Sequence, residues 1–389
     1  MDLNERVAGI PASLTLAVDA KAKALAAAGE KVCGFGAGEP DFDTPEHIKE
    51  AAIKALREGK TKYAPNDGVM ELRVAIAEKL AAENKLAYKP EQVLVSNGAK
   101  HSLFNLFMAL CREGDEIIIP APFWLSYPEM VRVAGGKPVF VKGTAGGGLK
   151  ITPAELKAAI TPRSKALVLN SPSNPTGAVY SRSELAALTD VAVQHGLYLV
   201  SDEIYERMVY DGVEATSVGS LGPDVLKRTI TVNGFSKPYA MTGWRLGYFA
   251  GPLELVKAAS ALQSHSTSAP NTFAQYGAIA ALRGPQDCVT RMVTAFDERR
   301  QYLHGRLIAM PGLTCVRPTG AFYAFPSIAG TGLASLDFAA RLLEQEKVAV
   351  VPGLPFGADD HIRLSYACSL ANIEEGMNRL ERFLQRALR

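Results

Sequence analysis

The chain has 389 residues, 48% of them hydrophobic and 21% charged, with a net charge of +2 and a pI near 8.2. That length exceeds one usual core and points to two domains, or to one large α/β domain with an appendage. The balanced charge makes no field for a polyanion, so nucleic acid is not an expected partner, and five scattered cysteines without a C-x-x-C pair argue against a disulfide framework and against zinc.

The N-terminus carries Asp2, Glu5 and Arg6 where a secretory leader needs apolar residues. No run reaches the roughly eighteen apolar residues of a membrane span, so a cytoplasmic protein without membrane contact is expected. An alanine- and lysine-rich segment from Asp19 to Glu30 reads as a helix ending near Gly29. Gly34-Phe35-Gly36-Ala37-Gly38 misses the G-x-G-x-x-G spacing and no helix follows at once, which weakens a dinucleotide reading. Thr44-Pro45-Glu46 opens a helix, with Thr44 as cap and Pro45 in the first turn, and Ile48, Ala51, Ala52, Ala55 and Leu56 form its apolar stripe. It stops at Gly59. Lys60-Thr61 lacks the earlier glycine of a Walker A loop, position 54 being lysine, and Tyr63 to Gly68 is a turn-rich loop.

Strands are expected at 92–96, 116–119, 137–141, 166–169, 198–201 and in the apolar run that ends at Gly234, alternating with helices such as the one capped by Thr152-Pro153-Ala154-Glu155. Such alternation builds a mostly parallel sheet covered by helices on both faces. Beyond Gly247–Pro252 the pattern turns helical, chiefly from Thr272 to Met310. The C-terminal part then mixes Gly320–Phe325, a helix near 337–346, Val348–Pro352, His361–Tyr366 and a final helix after Asn372. The expected fold is α/β, with a large domain at 45–280, a smaller α+β domain at 281–389, and an arm at 1–44 that joins the small domain.

Open α/β sheets bind ligands at the carboxyl ends of their strands. The run from Thr231 to Gly247 puts Lys237 on a loop at that edge, and Gly243-x-Arg245-x-Gly247 adds a second cation. An amine beside a guanidinium suits an aldehyde cofactor that also carries a phosphate: the amine forms a Schiff base and the guanidinium clamps the anion. Asn97-Gly98-Ala99-Lys100 opens a helix whose free N–H groups and dipole make an anion site, and Lys100 is disfavoured there unless an anion is near. Asp202 ends a strand, where a carboxylate can hold a pyridinium nitrogen protonated. Trp124 offers a flat face to an aromatic ring, or else fills core, and Asn174 an amide donor to a ring oxygen. If 362–366 is a strand, Arg363 faces away from Ile362, Leu364 and Tyr366. The six histidines show no metal-ligand spacing, and no metal is expected.

The lysine motif, Asn174-Pro175-Thr176-Gly177, Asp202 with Tyr205, and Arg363-x-Ser365-Tyr366 resemble, in order and in kind, the class-I pyridoxal-phosphate aminotransferases of fold type I. They are similar in particular to the bacterial aspartate aminotransferases of the thermophile-like subgroup. The resemblance implies pyridoxal 5'-phosphate as cofactor and Lys237, Asp202 and Tyr205 as catalytic residues. It implies cofactor contacts from Gly98, Ala99, Lys100, Trp124, Asn174, Ser236 and Arg245 as well, with Tyr63 reaching the phosphate in the neighbouring subunit of a homodimer. Gly38, Lys100, Trp124, Asn174 and Arg363 are its substrate residues: Arg363 for the α-carboxylate and Lys100 for a distal carboxylate, although a lysine merely near the phosphate is the alternative. Gly234 stands where some relatives carry serine, which leaves open the hydroxyl that meets the phosphate. The implied reaction moves an amino group between aspartate or glutamate and a 2-oxo acid such as 2-oxoglutarate, with prephenate as a further acceptor. An aminotransferase for aromatic amino acids, or a carbon–sulfur lyase on the same fold, is the alternative.

Overall fold

The computed structural model describes residues 3–388 apart from 13 and 145, so Asp2 lies outside the described residues. In chain order the strands are β1 (Cys33–Gly34), β2 (Val93–Ser96), β3 (Glu116–Ala121), β4 (Lys137–Lys142), β5 (Ser164–Asn170), β6 (Tyr198–Asp202), β7 (Thr229–Gly234), β8 (Gly247–Ala250), β9 (Tyr323–Ala324), β10 (Val348–Ala349), β11 (Val351–Pro352) and β12 (Ile362–Ser365). β2 to β8 form a seven-stranded sheet in the order β2-β8-β7-β6-β5-β3-β4, parallel except for β8, which runs antiparallel between β2 and β7. Each expected strand of this sheet is present. β8 was not expected from sequence, because four residues between glycines carry too little period to stand out.

Alternate residues of the strands serve opposite faces. Ile117 and Ile119 join Ala166, Val168, Ile230 and Phe249 in a core with the helices Ala99–Leu110, Ser126–Val133 and Leu253–Ser264. Ile118, Leu167, Leu169 and Leu199 face the other way, against the helix Arg182–Gln194. The helices Glu46–Arg57, Met70–Asn84 and Thr272–Arg283 close that face over β2 and β8.

A second core gathers the long helix Asp287–Ala309, the helices Ser335–Glu346 and Leu370–Ala387, and the three-stranded sheet β11-β12-β9. β1 pairs in parallel with β10, which fastens the N-terminal segment to this part of the molecule. Tyr205, Met208 and Tyr210, on the loop after β6, are buried in the same core. Arg300 reinforces the join: fully buried, it pairs with Asp297 and with both oxygens of Asp211 at 2.7 and 2.8 Å, and donates to Pro318 O.

Two local expectations are corrected. Thr44 does not cap the helix Glu46–Arg57, where Pro45 holds the cap position without a side-chain bond. Its hydroxyl instead donates to Ala240 O at 2.7 Å and accepts from Trp244 Nε1 at 3.0 Å, tying the loop to the lysine segment. Leu56, placed in the buried stripe from sequence, is exposed. The capping box at Thr152 and Glu155 forms as expected. Among the described residues no helix is long and apolar enough to cross a membrane, and no cluster of metal-ligating side chains occurs.

Candidate active site

Because β3, β5, β6 and β7 are parallel, their carboxyl ends share one edge of the sheet, and the residues that follow them meet there. β6 ends in Asp202, β7 runs into Phe235-Ser236-Lys237, β3 leads to Trp124 and β5 to Asn174. The start of the helix after β2 adds Ala99 and Lys100. From the opposite side come Arg363 on β12 and the Gly36–Gly38 loop after β1. Together with Tyr205 and Arg245 they line a cleft of about 480 Å³. Gly98 stands just behind this wall. Tyr63 is not brought to it: the side chain is 97% exposed, on a loop elsewhere on the surface.

Lys237 Nζ donates to Gly38 O. Burial pushes its pKa down to about 8, and although Glu39 works against the shift, Arg363, Arg245 and Lys100 add to it. Asp202 accepts a 2.6 Å bond from Tyr127 Oη and a 3.3 Å bond from Ile204 N–H. Burial raises this carboxyl to about 6, while Tyr127, Ile204 N–H and Lys237 restrain the rise. Asn170 braces the floor, donating to Asp202 O at 3.0 Å and accepting from Asn174 N–H at 2.8 Å.

One end of the cleft is an anion site with two positive sources. In the helix Ala99–Leu110 the N–H groups of His101 and Ser102 turn back to Gly98 O, so those of Ala99 and Lys100 are left without intrahelical acceptors. A Cβ at Gly98 would lie 2.4 Å from Arg245 Nη2, so only a glycine lets the guanidinium rest on the helix start. Arg245 is held there in a left-handed conformation (φ +52°) by bonds to Thr242 O and Asn97 O. That conformation costs a non-glycine residue roughly 1 kcal/mol and is typical of sites where geometry serves a ligand.

At the other end Arg363, 2% exposed, donates to Asn174 Oδ1 at 3.0 Å and to Gly36 O at 2.9 Å, with Nε unpartnered. Its guanidinium thus touches only neutral acceptors, which leaves a buried cation ready for a carboxylate. Lys100 Nζ lies 5.0 Å over the Trp124 ring, and its pKa is lowered by desolvation and then by Arg245. Trp124 serves both readings open to it, lining the cleft while packing edge-on against Tyr127 at 5.2 Å. Five cations line the cleft, Lys23, Lys100, Lys237, Arg245 and Arg363, against the carboxylates of Glu39 and Asp202.

Sequence reasoning missed Tyr127, Asn170, Glu39 and Tyr323. Asn170 and Glu39 lie just outside two of the motifs singled out, before Asn174 and directly after Gly38. Nothing in the sequence marks Tyr127, on a helix, or Tyr323, in an apolar run, as distinct from core aromatics.

A lysine after one strand, a carboxylate ending its neighbour in the sheet and cations at both ends of the cleft suit a group-transfer enzyme for small anionic molecules. The chain belongs to the class I and II aminotransferases, whose family model matches residues 30–380. It is 52% identical over 390 residues to an aspartate aminotransferase of Geobacillus stearothermophilus, covering 99% of each chain. It is also 48% identical to the aspartate/prephenate aminotransferase of Thermus thermophilus, over 99% of each chain. Among solved structures, the aspartate aminotransferase from Thermus thermophilus with maleate superposes with a TM-score of 0.95, at 48% identity over 99% of this chain and 100% of that one. The fold is that of these fold-type-I enzymes.

Proposed function

We propose that this enzyme is a pyridoxal-phosphate-dependent aspartate aminotransferase that exchanges an amino group between aspartate or glutamate and a 2-oxo acid such as 2-oxoglutarate. The observation that carries the proposal is the charge of the cleft: a surplus of cations at both ends of a buried lysine whose pKa is held near 8. That distribution fits a cofactor bearing a phosphate at one end and a substrate bearing carboxylates at the other. The names of the relatives support the choice of aspartate.

When bound, pyridoxal phosphate supplies an aldehyde that takes up the amino group and a ring that withdraws electrons from the reacting carbon. Lys237 Nζ would be the amine that holds that aldehyde and, when free of it, the group that moves the proton at the substrate Cα. Asp202, steadied by Tyr127, would keep the ring nitrogen protonated, while Tyr205 and Asn174 would donate to the ring oxygen and Trp124 would offer the ring its flat side. The free N–H groups of Ala99 and Lys100 on the turn made by Gly98, with Arg245 and Ser236, would hold the phosphate. Arg363 binds the α-carboxylate as a bidentate pair beside Gly38, and Lys100 reaches the distal carboxylate.

A cytoplasmic homodimer belongs to the same proposal, with the partner subunit's Tyr63 completing the phosphate site. So does a division into an arm at 1–44, a large domain at 45–280 and a small domain at 281–389, supported by the separate core that collects Cys33, Phe35 and the C-terminal helices.

The purified protein with pyridoxal phosphate, aspartate and 2-oxoglutarate is expected to yield oxaloacetate and glutamate, and Lys237→Ala to stop turnover. Lys100→Ala should cut kcat/KM for aspartate by about thirtyfold, roughly 2 kcal/mol, while sparing an uncharged amino acid. With cysteine as substrate, release of pyruvate, ammonia and sulfide in place of amino transfer would refute the assignment, and adding prephenate to the acceptor panel defines the range.

A further inference from the structure

Tyr323 has no part in the proposed chemistry, yet it touches both halves of the cleft. Its hydroxyl lies 2.9 Å from that of Tyr205, and the two rings meet edge-on at 5.8 Å. The Arg363 guanidinium lies 4.5 Å over its ring. Tyr205 follows β6 of the large sheet, whereas Tyr323 and Arg363 belong to β9 and β12 of the three-stranded one. The hydroxyl pair therefore joins the two sheets inside the site. A Cβ on Gly38 would stand 3.4 Å from Tyr323 Oη, so the hydroxyl is closely packed on that side as well.

A phenol has one proton to donate, and two facing hydroxyls must settle which gives and which accepts. The charged groups around the pair decide it. Arg363 sits over the Tyr323 ring and favours loss of its proton. Burial is the largest influence keeping both protons in place; at Tyr205 Arg363 works against it, and the Asp202 carboxylate adds to it. Lys237 stands 5.9 Å from the neighbouring Phe322 ring. With the Arg363 guanidinium over its own ring and the Asp202 carboxylate beside Tyr205, Tyr323 is the better placed of the two to donate.

We infer that Tyr323 donates to Tyr205 and so leaves the Tyr205 proton free to point at the ring oxygen of the bound cofactor, which makes Tyr323 a positioning residue that couples the carboxylate site at Arg363 to the ring. This rests on the role proposed for Tyr205. Successive hydrogen bonds polarise one another, so donation into Tyr205 strengthens its bond to the ring oxygen. A substrate carboxylate pairing with Arg363 weakens the field over Tyr323 and relaxes that bond.

Tyr323→Phe keeps the ring beneath Arg363 and removes only the hydroxyl. In the pyridoxal-phosphate-loaded protein, the pH midpoint of the visible absorbance change is expected to rise by about half a unit, threefold in the acid constant, as Tyr205 becomes a poorer donor. The KM for aspartate should stay within about twofold while kcat falls. Tyr205→Phe should move the midpoint by itself, and adding Tyr323→Phe to it should move it no further. An unchanged midpoint, with or without a fall in Tm, would reduce Tyr323 to a packing residue and overturn the inference, as would an equal shift in the Tyr205→Phe background. If the wild-type protein forms no visible chromophore with pyridoxal phosphate, it is the cofactor assignment itself that fails.

Discussion

At the scale of single residues, the site is governed by how burial treats charge. Lys237 is pushed down to about 8 because water is excluded around it. An unfolded lysine titrates near 10.5, so between about 8 and 10.5 the unfolded chain holds a proton that the native chain does not. The charge penalty is fully present below that window, and apoprotein stability gains as pH rises through it. The same titration governs reactivity, since only the neutral amine attacks an aldehyde. The rate at which apoprotein takes up pyridoxal phosphate should rise about tenfold per pH unit below about 8 and level off above it, followed by absorbance after mixing. A rate that is flat from pH 6 to 9 would contradict a buried reactive amine.

At the scale of elements, the phosphate end depends on how closely β8 approaches the helix Ala99–Leu110. A Cβ at Gly247 would sit 2.2 Å from Ala99 N and 2.5 Å from the Gly98 carbonyl carbon, so this strand has no room for a side chain beside the helix start. Gly247→Ala should cost roughly 1–3 kcal/mol of stability by overpacking and weaken pyridoxal phosphate binding, because relief comes only by shifting the helix terminus that forms the anion site. Denaturant unfolding and a cofactor titration measure the two effects. Wild-type cofactor affinity in a destabilised variant would separate the strand from the site.

At the scale of the whole molecule, Tyr63 stands out as a large aromatic side chain in the open. Thr272 Oγ1 bonds to Lys62 O at 2.7 Å and Gln263 Nε2 to Asn66 O at 2.8 Å, so the loop is pinned on both sides of a residue that touches nothing in its own cleft. The flanking helices expose Ile53, Leu56 and Met70. This suits a surface covered by a second copy of the chain, each copy lending its tyrosine to the other. Mixing subunits made inactive by Tyr63→Ala with subunits made inactive by Lys237→Ala should restore part of the activity through hybrid dimers. No recovery after verified subunit exchange would place Tyr63 outside the site.

The alternation of strands and helices was legible along the chain because periodicity is local; Lys237, Asn174 and Arg245 stood out because each sits in a run of small or turn-forming residues, and Asp202 and Arg363 because each is a charge in an otherwise apolar strand. Parallel order then required the residues after β3, β5, β6 and β7 to share an edge. The sequence by itself therefore determined the class of fold and the family, and brought the candidate site residues after these strands to one edge of the sheet. Only the tertiary structure decided the rest, since it depends on contacts between residues far apart in the chain. Thr44 has the composition of a helix cap, yet its hydroxyl went to Ala240 and Trp244 once these were near. β8 is too short to declare itself and is defined by its antiparallel pairing with both β2 and β7. Tyr127 and Tyr323 look like core aromatics in sequence. They became partners of Asp202 and Tyr205 only when folding carried their hydroxyls to within 3 Å of those groups, 75 and 118 residues away along the chain.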